Sequence, residues 1–237
     1  MTRSRPITLS DRHVSLIPQA EGPLHDPRWR MLEDPDLDRL AETLTRGRPR
    51  PIPVFAYGSL IWNPGFAVGG RRRATALGWH RSFSISLDHF RGSPDRPGLM
   101  LALESGGRCD GLVLDIAPGT ETESLRAILR RELVAHELAA NACWITVRTD
   151  RGREQALTFY ADPVGTPVAR LSLAEQARRL ARAAGAAGSG AEYLLRTVRG
   201  LAEHGIHDPY IWDLQHQVAQ EIEAAVARTD GAAPPFP

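Results

Sequence analysis

Apolar residues fall in short runs through the middle of the chain and at three- and four-residue spacing towards its end. The runs at 54–57, 74–79, 82–87, 99–104, 109–116, 145–149 and 156–161 predict strands, and glycine or proline separates most of them, as short antiparallel strands require. One helix is predicted inside this series, at 120–139, with Glu121 and Glu123 near its start, where the helix dipole favours acid. Ahead of the strands, Leu37, Leu40 and Leu44 at helical spacing predict a helix over 35–46 in an otherwise irregular N-terminal extension, residues 1–50. After Thr166 the pattern turns helical. Ser172-Leu-Ala-Glu reads as a capping box opening a helix to about residue 184, followed by helices at 191–204 and 209–228 and a flexible tail at 229–237. Strands followed by helices predict an α+β fold: a mixed, bent or barrel-like sheet with packed helices and a C-terminal helical layer, in one domain over 51–228.

Composition narrows the chemistry. The chain has 237 residues, enough to bury a substantial core, and a net charge of +1, which offers no bulk field for nucleic acid or membrane surfaces. It contains no lysine; all 29 basic residues are arginine. Schiff-base, pyridoxal-phosphate and P-loop chemistry each need a lysine and are excluded. Cys109 and Cys143 are too few for a disulfide framework or a thiolate zinc site and read as buried structural thiols. No run approaches the roughly 20 apolar residues of a membrane span, and the first 50 residues lack the apolar centre of a secretory signal, so a cytoplasmic protein is expected.

The most distinctive stretch is VFAYGSLIWNPGF, beginning at Val54. A strand (Val54, Phe55, Ala56) ends in Tyr57-Gly58-Ser59-Leu60, and a second turn follows at Asn63-Pro64-Gly65. Glycine permits a tight turn with close approach of a ligand to the backbone, and successive N–H groups there can cradle a carboxylate or an oxyanion. A plain strand-end turn is the competing reading.

This stretch resembles the opening strand and substrate loop of the ChaC-like gamma-glutamylcyclotransferases. DHFRGSPDRPGLMLALESGGRCDGLVLDI, from Asp88, is similar to that family's Arg-Gly segment, Pro-Gly turn and following strands. Arg131-Glu132 resembles its Arg-Glu pair, and GSGAEYLLRTVRGLAEHGIHD its C-terminal helical region. The resemblance implies a glutathione-specific enzyme in which the α-amine of the γ-glutamyl group attacks its own γ-carbonyl, giving 5-oxoproline and Cys-Gly, with no cofactor and no metal. It implies Glu132 as the catalytic base, and Val54, Phe55, Ala56, Tyr57, Gly58, Ser59, Leu60, Arg91 and Tyr160 as substrate-binding residues. Another γ-glutamyl amine as substrate, or a non-catalytic binding protein of the same fold, are the alternatives.

The residues themselves leave several of these roles open. Charged helix positions such as Glu132 are mostly solvated. Arg91 suits either a substrate carboxylate or the ordering of its own loop, Tyr160 either the substrate or cross-strand packing, and Tyr193 chiefly the core. The segment LVAHELAANACW departs from the family's short Gly- and Tyr-containing turn and makes His136 and Glu137 competing acid–base groups. In an unbroken helix Glu132 and His136 would lie one turn apart on one face. The basic run at Arg71 to Arg73 raises an RNA-binding alternative, weakened by its shortness and the near-zero net charge.

Overall fold

The computed structural model describes residues 7–162 and 168–230. Five strands close into a barrel in the order β1-β3-β2-β4-β5. β1 (Pro53–Ala56) pairs antiparallel with β3 (Gly98–Ile116) and parallel with β5 (Gly152–Phe159), meeting it at Val54 and Leu157, so the barrel is mixed. β2 (Val68–Leu87) lies between β3 and β4 (Ala142–Thr149), and β4 and β5 form a hairpin.

β2 and β3 each replace two predicted strands. Gly78, at φ +81°, and Gly106 and Gly107, at φ +103° and +76°, sit where the pairing shifts register between Leu77 and Trp79. Conformations that side chains rarely adopt are taken up by a bulge, which bends the ribbon without ending it. The punctuation at Gly106-Gly107 was real, but it marks curvature, and Gly78, inside a predicted strand, bends the partner strand opposite it.

Side-chain alternation along β1 separates two cores. Phe55 joins Leu103, Val113, Ile145 and Ala156 in a cluster drawn from the barrel strands, whereas Val54 and Ala56 join the larger cluster shared with the helices. A Cβ on Gly111 would stand 2.4 Å from the Ala56 carbonyl oxygen, so glycine is what lets β3 close on β1.

The first 50 residues include α1 (Asp11–Ser15) and α2 (Asp34–Thr45), and they contribute Leu9, Ile17 and Leu37 to the main core. The C-terminal layer comprises α5 (Leu173–Leu180), α6 (Gly190–Glu203) and α7 (Pro209–Asp230). Ser172 caps α5 as expected: its hydroxyl accepts from Glu175 N and its own N–H donates to the Glu175 carboxylate. Between α5 and α6 the chain makes a small hairpin, β6 (Ala184–Gly185) and β7 (Gly188–Ser189), where a simple helix-to-helix connection was expected. Of the expected tail, residues 231–237 lie outside the described residues.

The predicted helix over 120–139 requires correction. α4 (Glu121–Glu132) stops at Glu132, and a 3₁₀ turn (His136–Asn141) follows after an extended break. The cause is tertiary: the N-terminal segment captures the backbone of the break. Leu32 N–H donates to Val134 O at 3.2 Å, His136 N–H donates to Arg30 O at 2.9 Å, and Met31 bridges to Ala135. Glu132 and His136 therefore do not share a helical face. α3 (Ser59–Trp62) is a single turn following β1. Among the described residues no helix is long and apolar enough to cross a membrane.

Candidate active site

β1 ends at Ala56, and Tyr57 leads from it to Gly58, the N-cap of α3. A Cβ at Gly58 would lie 3.1 Å from Leu101 Cδ2 and 3.3 Å from the Tyr193 hydroxyl. The turn is thus pressed against α6. Tyr193 is 4% exposed; its ring packs edge-on against Trp62 and Phe83, with centroids 6.0 and 5.7 Å away. Its hydroxyl hydrogen-bonds to Ser59. Core packing and the polar contact belong to opposite ends of one side chain, which sequence spacing could not reveal.

Glu132, the last residue of α4, faces a cleft of about 1260 Å³ together with Tyr57, Met100, Leu101, Phe159 and Tyr160. Its side chain is 20% exposed overall, but Oε1 is sealed from solvent and has no hydrogen-bond partner. Burial raises the carboxyl pKa above its ordinary value, and the neighbouring Arg131 charge opposes the rise. Burial, followed by repulsion from Glu132, also raises the Tyr57 and Tyr193 phenols. Three ionisable groups are therefore held in mutual electrostatic contact, of which Glu132 and Tyr57 line the cleft and Tyr193 lies in the core. Both phenols stay protonated and able to donate hydrogen bonds, while the carboxyl is the group most readily able to exchange a proton.

Arg131 connects this carboxyl to the second turn of the distinctive stretch. Its Nη1 donates to the Asn63 carbonyl, and its Nε stands 3.3 Å from Glu132 Oε1. Asn63-Pro64-Gly65 is thereby tied to the C-terminal end of α4, and Gly65, at φ +71°, supplies the backbone reversal. The abrupt end of the apolar strand is thus part of a packed junction between α3, α4 and α6.

Other expected residues are placed differently. The side chains of Val54, Phe55, Ala56 and Leu60 are buried in the cores, and the three β1 residues occupy the β1–β3 ladder, so they position the turn and do not line the cleft. Arg91 is not brought to the cleft either. It donates to Ser189 O at 3.1 Å, lies 3.4 Å from Glu192 Oε2 and stacks on the Tyr193 ring at 5.3 Å, bracing the β6–β7 hairpin and α6. Tyr160 lines the cleft and also meets Trp79 edge-on at 5.7 Å. His136 pairs with Asp36 at 3.4 Å, and exposed Glu137 accepts from Arg30 N at 3.4 Å while lining the cleft.

Burial pushes the half-buried Cys143 thiol up to about 11 and raises buried Cys109 as well, the opposite of nucleophile activation. Arg72, at the centre of the basic run, is 8% exposed and bound by Asp115 and Glu154. That leaves it closed to phosphates. Among the described residues no three or more His, Cys, Asp or Glu side chains are grouped to hold a metal ion.

Residues 52–221 match the family model described as ChaC-like protein. The chain belongs to the ChaC-like family. A family relative from Escherichia coli (strain K12), named glutathione-specific gamma-glutamylcyclotransferase, is 33% identical over 178 residues, covering 74% of this chain and 76% of that protein. Gamma-glutamylcyclotransferase 2-1 from Arabidopsis thaliana is 27% identical over 186 residues, covering 72% and 83%. The crystal structure of a yeast gamma-glutamylcyclotransferase specific to glutathione has the same fold: TM-score 0.63 at 20% identity, over 72% of this chain and 96% of that one.

The ChaC-like match begins after a wall of the cleft that sequence reasoning missed. Leu24, His25, Asp26, Arg28, Trp29 and Met31 line the same cavity as Glu132. Apolar Trp29, Met31 and Leu32 within a polar segment were the available signal, but they have no periodicity from which to infer a buried face.

Proposed function

We propose that this chain is a cytoplasmic glutathione-specific gamma-glutamylcyclotransferase, a lyase that releases 5-oxoproline and Cys-Gly. The observation that carries the reading is the Glu132 carboxyl, facing the cleft together with Tyr57, the first residue of the turn, with a sealed, hydrogen-bond-free oxygen. The names of the Escherichia coli and Arabidopsis thaliana relatives support the reaction class, and the former supports glutathione.

The chemistry follows from the groups present. Glu132 takes a proton from the substrate α-ammonium, freeing the amine to attack the γ-carbonyl of the same molecule. Intramolecularity removes the cost of bringing two reactants together, so holding the folded-back conformer is the main remaining task. Backbone N–H groups of the turn that follows Tyr57 are assigned to the developing oxyanion. Collapse breaks the γ-amide bond: Glu132 returns its proton to the departing cysteine nitrogen, and the second α-nitrogen proton, lost as the lactam forms, follows to that nitrogen, so Cys-Gly leaves with an ammonium and Glu132 is again a carboxylate. Tyr57 and Tyr160 line the cleft where they can orient the γ-glutamyl group, and Ser59 fixes the Tyr193 hydroxyl behind the turn.

The test is release of 5-oxoproline and Cys-Gly from glutathione by wild type and Glu132→Gln, with no added cofactor. A loss of about 10²–10⁴-fold in a folded variant is expected. Equal rates would move proton transfer to Glu137, the other carboxylate named on the cleft near α4. No release by wild type would sink the glutathione assignment.

A further inference from the structure

Residues 23–32 run along one side of the cleft and are fastened at both ends. Phe90 N–H donates to Pro23 O at 3.0 Å, and Trp29 meets His89 edge-on with centroids 5.1 Å apart. At the other end Met31 bridges to Ala135, close in sequence to Glu132. Two extended residues span at most about 7 Å, so Trp29 stands within that chain reach of the Met31 bridge. The segment links the corner at His89 and Phe90 to the neighbourhood of the base. It lies outside residues 52–221, so this wall is not part of the matched family region.

The cleft is also large. Its volume of about 1260 Å³ lies above the roughly 300–1,000 Å³ typical of a pocket that engulfs a drug-sized ligand. The far part is lined by Leu24, Trp29, Met31, Phe90, Pro94 and Pro97. Leu24 and Met31 are 51% and 41% exposed, which leaves them free to be covered. Its charged pairs are Asp26 with Arg28 at 2.6 Å, Asp88 with His89 at 2.9 Å, and Arg130 with Asp34, and the exposed His25 imidazole lies beside Leu24. A carboxylate entering there would compete with Asp26, Asp88 and Asp34 for the cations they already hold, whereas an apolar group gains by covering the Leu24, Trp29 and Met31 side chains. In the Cys-Gly half of glutathione the glycine end carries the carboxylate. The cysteine sulfur is the point at which a neutral apolar group can be attached.

We propose that the wall formed by Leu24, Trp29 and Met31 receives an apolar substituent on the cysteine sulfur, so that the enzyme cyclises S-alkyl and S-aryl conjugates of glutathione. This rests on the cyclotransferase reading above. The α-nitrogen bonds to the γ-carbon and the γ-amide C–N bond breaks. The electron pair leaves on the cysteine nitrogen, which takes its proton through Glu132. The C–S bond is untouched, and the products are 5-oxoproline and an S-substituted Cys-Gly.

The experiment compares 5-oxoproline release from glutathione and from S-benzylglutathione by the full chain, with Trp29→Ala and Leu24→Asp as variants. Wild type is expected to process the conjugate with a kcat/KM at least equal to that for glutathione. Each variant should lower the conjugate-to-glutathione ratio of kcat/KM by about tenfold, mainly through KM for the conjugate. Leu24 is exposed, so Leu24→Asp preserves the fold even if Trp29→Ala does not. Turnover of glutathione with the conjugate disfavoured more than about tenfold, or an unchanged ratio in a folded Leu24→Asp, would overturn the subsite and leave the proposed function standing. Cyclisation of the conjugate without glutathione would support the subsite and overturn glutathione specificity. Release from neither substrate overturns both.

Discussion

Arg131 Nε stands 3.3 Å from Glu132 Oε1, an ion pair between chain neighbours in which the carboxylate oxygen still accepts no hydrogen bond. Burial raises the Glu132 pKa and Arg131 holds that rise in check. The base must be deprotonated to act, so activity falls as the pH drops through its pKa. Arg131→Gln removes the opposing charge and should move the acid limb of the kcat/KM profile to higher pH. A limb that stays in place would assign it to another group.

The same raised pKa makes Glu132 a cost to folding at neutral and alkaline pH. Below its unfolded pKa both states hold the proton and the carboxyl contributes no penalty. As pH rises through the higher folded pKa, the buried charge destabilises the native state. Glu132→Gln should therefore melt above wild type near pH 8, with the difference shrinking towards about pH 4. Thermal unfolding of both proteins across that range checks the sign; a variant less stable at pH 8 would contradict it.

Gly58 has almost no room for a side chain. In Gly58→Ala the new methyl meets Leu101 Cδ2 at 3.1 Å, which can swing aside, and the Tyr193 hydroxyl at 3.3 Å, which is held by Ser59. The turn must shift or the Tyr193–Ser59 bond must break, so KM for glutathione should rise several-fold. Gly58→Val should abolish detectable turnover. Steady-state kinetics with circular dichroism separate a displaced turn from an unfolded chain.

Arg72 is a structural ion-pair centre, despite standing between two exposed arginines. Arg72→Ala leaves Asp115 and Glu154 without their shared cation and should cost about 3 kcal/mol in denaturant unfolding. Arg71→Ala, at an exposed position, should stay within about 0.5 kcal/mol of wild type. Equal effects would place the basic run on the surface as a whole.

Local pattern was enough to identify most elements, including the strands, α2, the capped start of α5, and the three C-terminal helices. It was also enough to single out Tyr57-Gly58-Ser59-Leu60, because a strand that ends in that turn is readable without coordinates, whereas Glu132 came only from the resemblance to the ChaC-like family, since an acid after two arginines reads on its own as a solvated helix charge. Apolar periodicity, cap chemistry and turn residues act over a few positions and are written in order along the chain.

Tertiary contacts decided the remainder. Whether Gly106-Gly107 ended a strand or bent it depended on the partner across the ladder. Whether α4 continued past Glu132 depended on residues 30–32, about a hundred positions away, competing for its backbone hydrogen bonds. Arg91 was turned from the cleft to the Tyr193 ring by packing of the β6–β7 hairpin. The sequence by itself thus determined most of the elements and the turn at Tyr57 to Leu60. Only the folded chain decided which groups face one cleft, because juxtaposing distant segments depends on the packing and hydrogen bonds each segment finds elsewhere, and no local pattern records that competition.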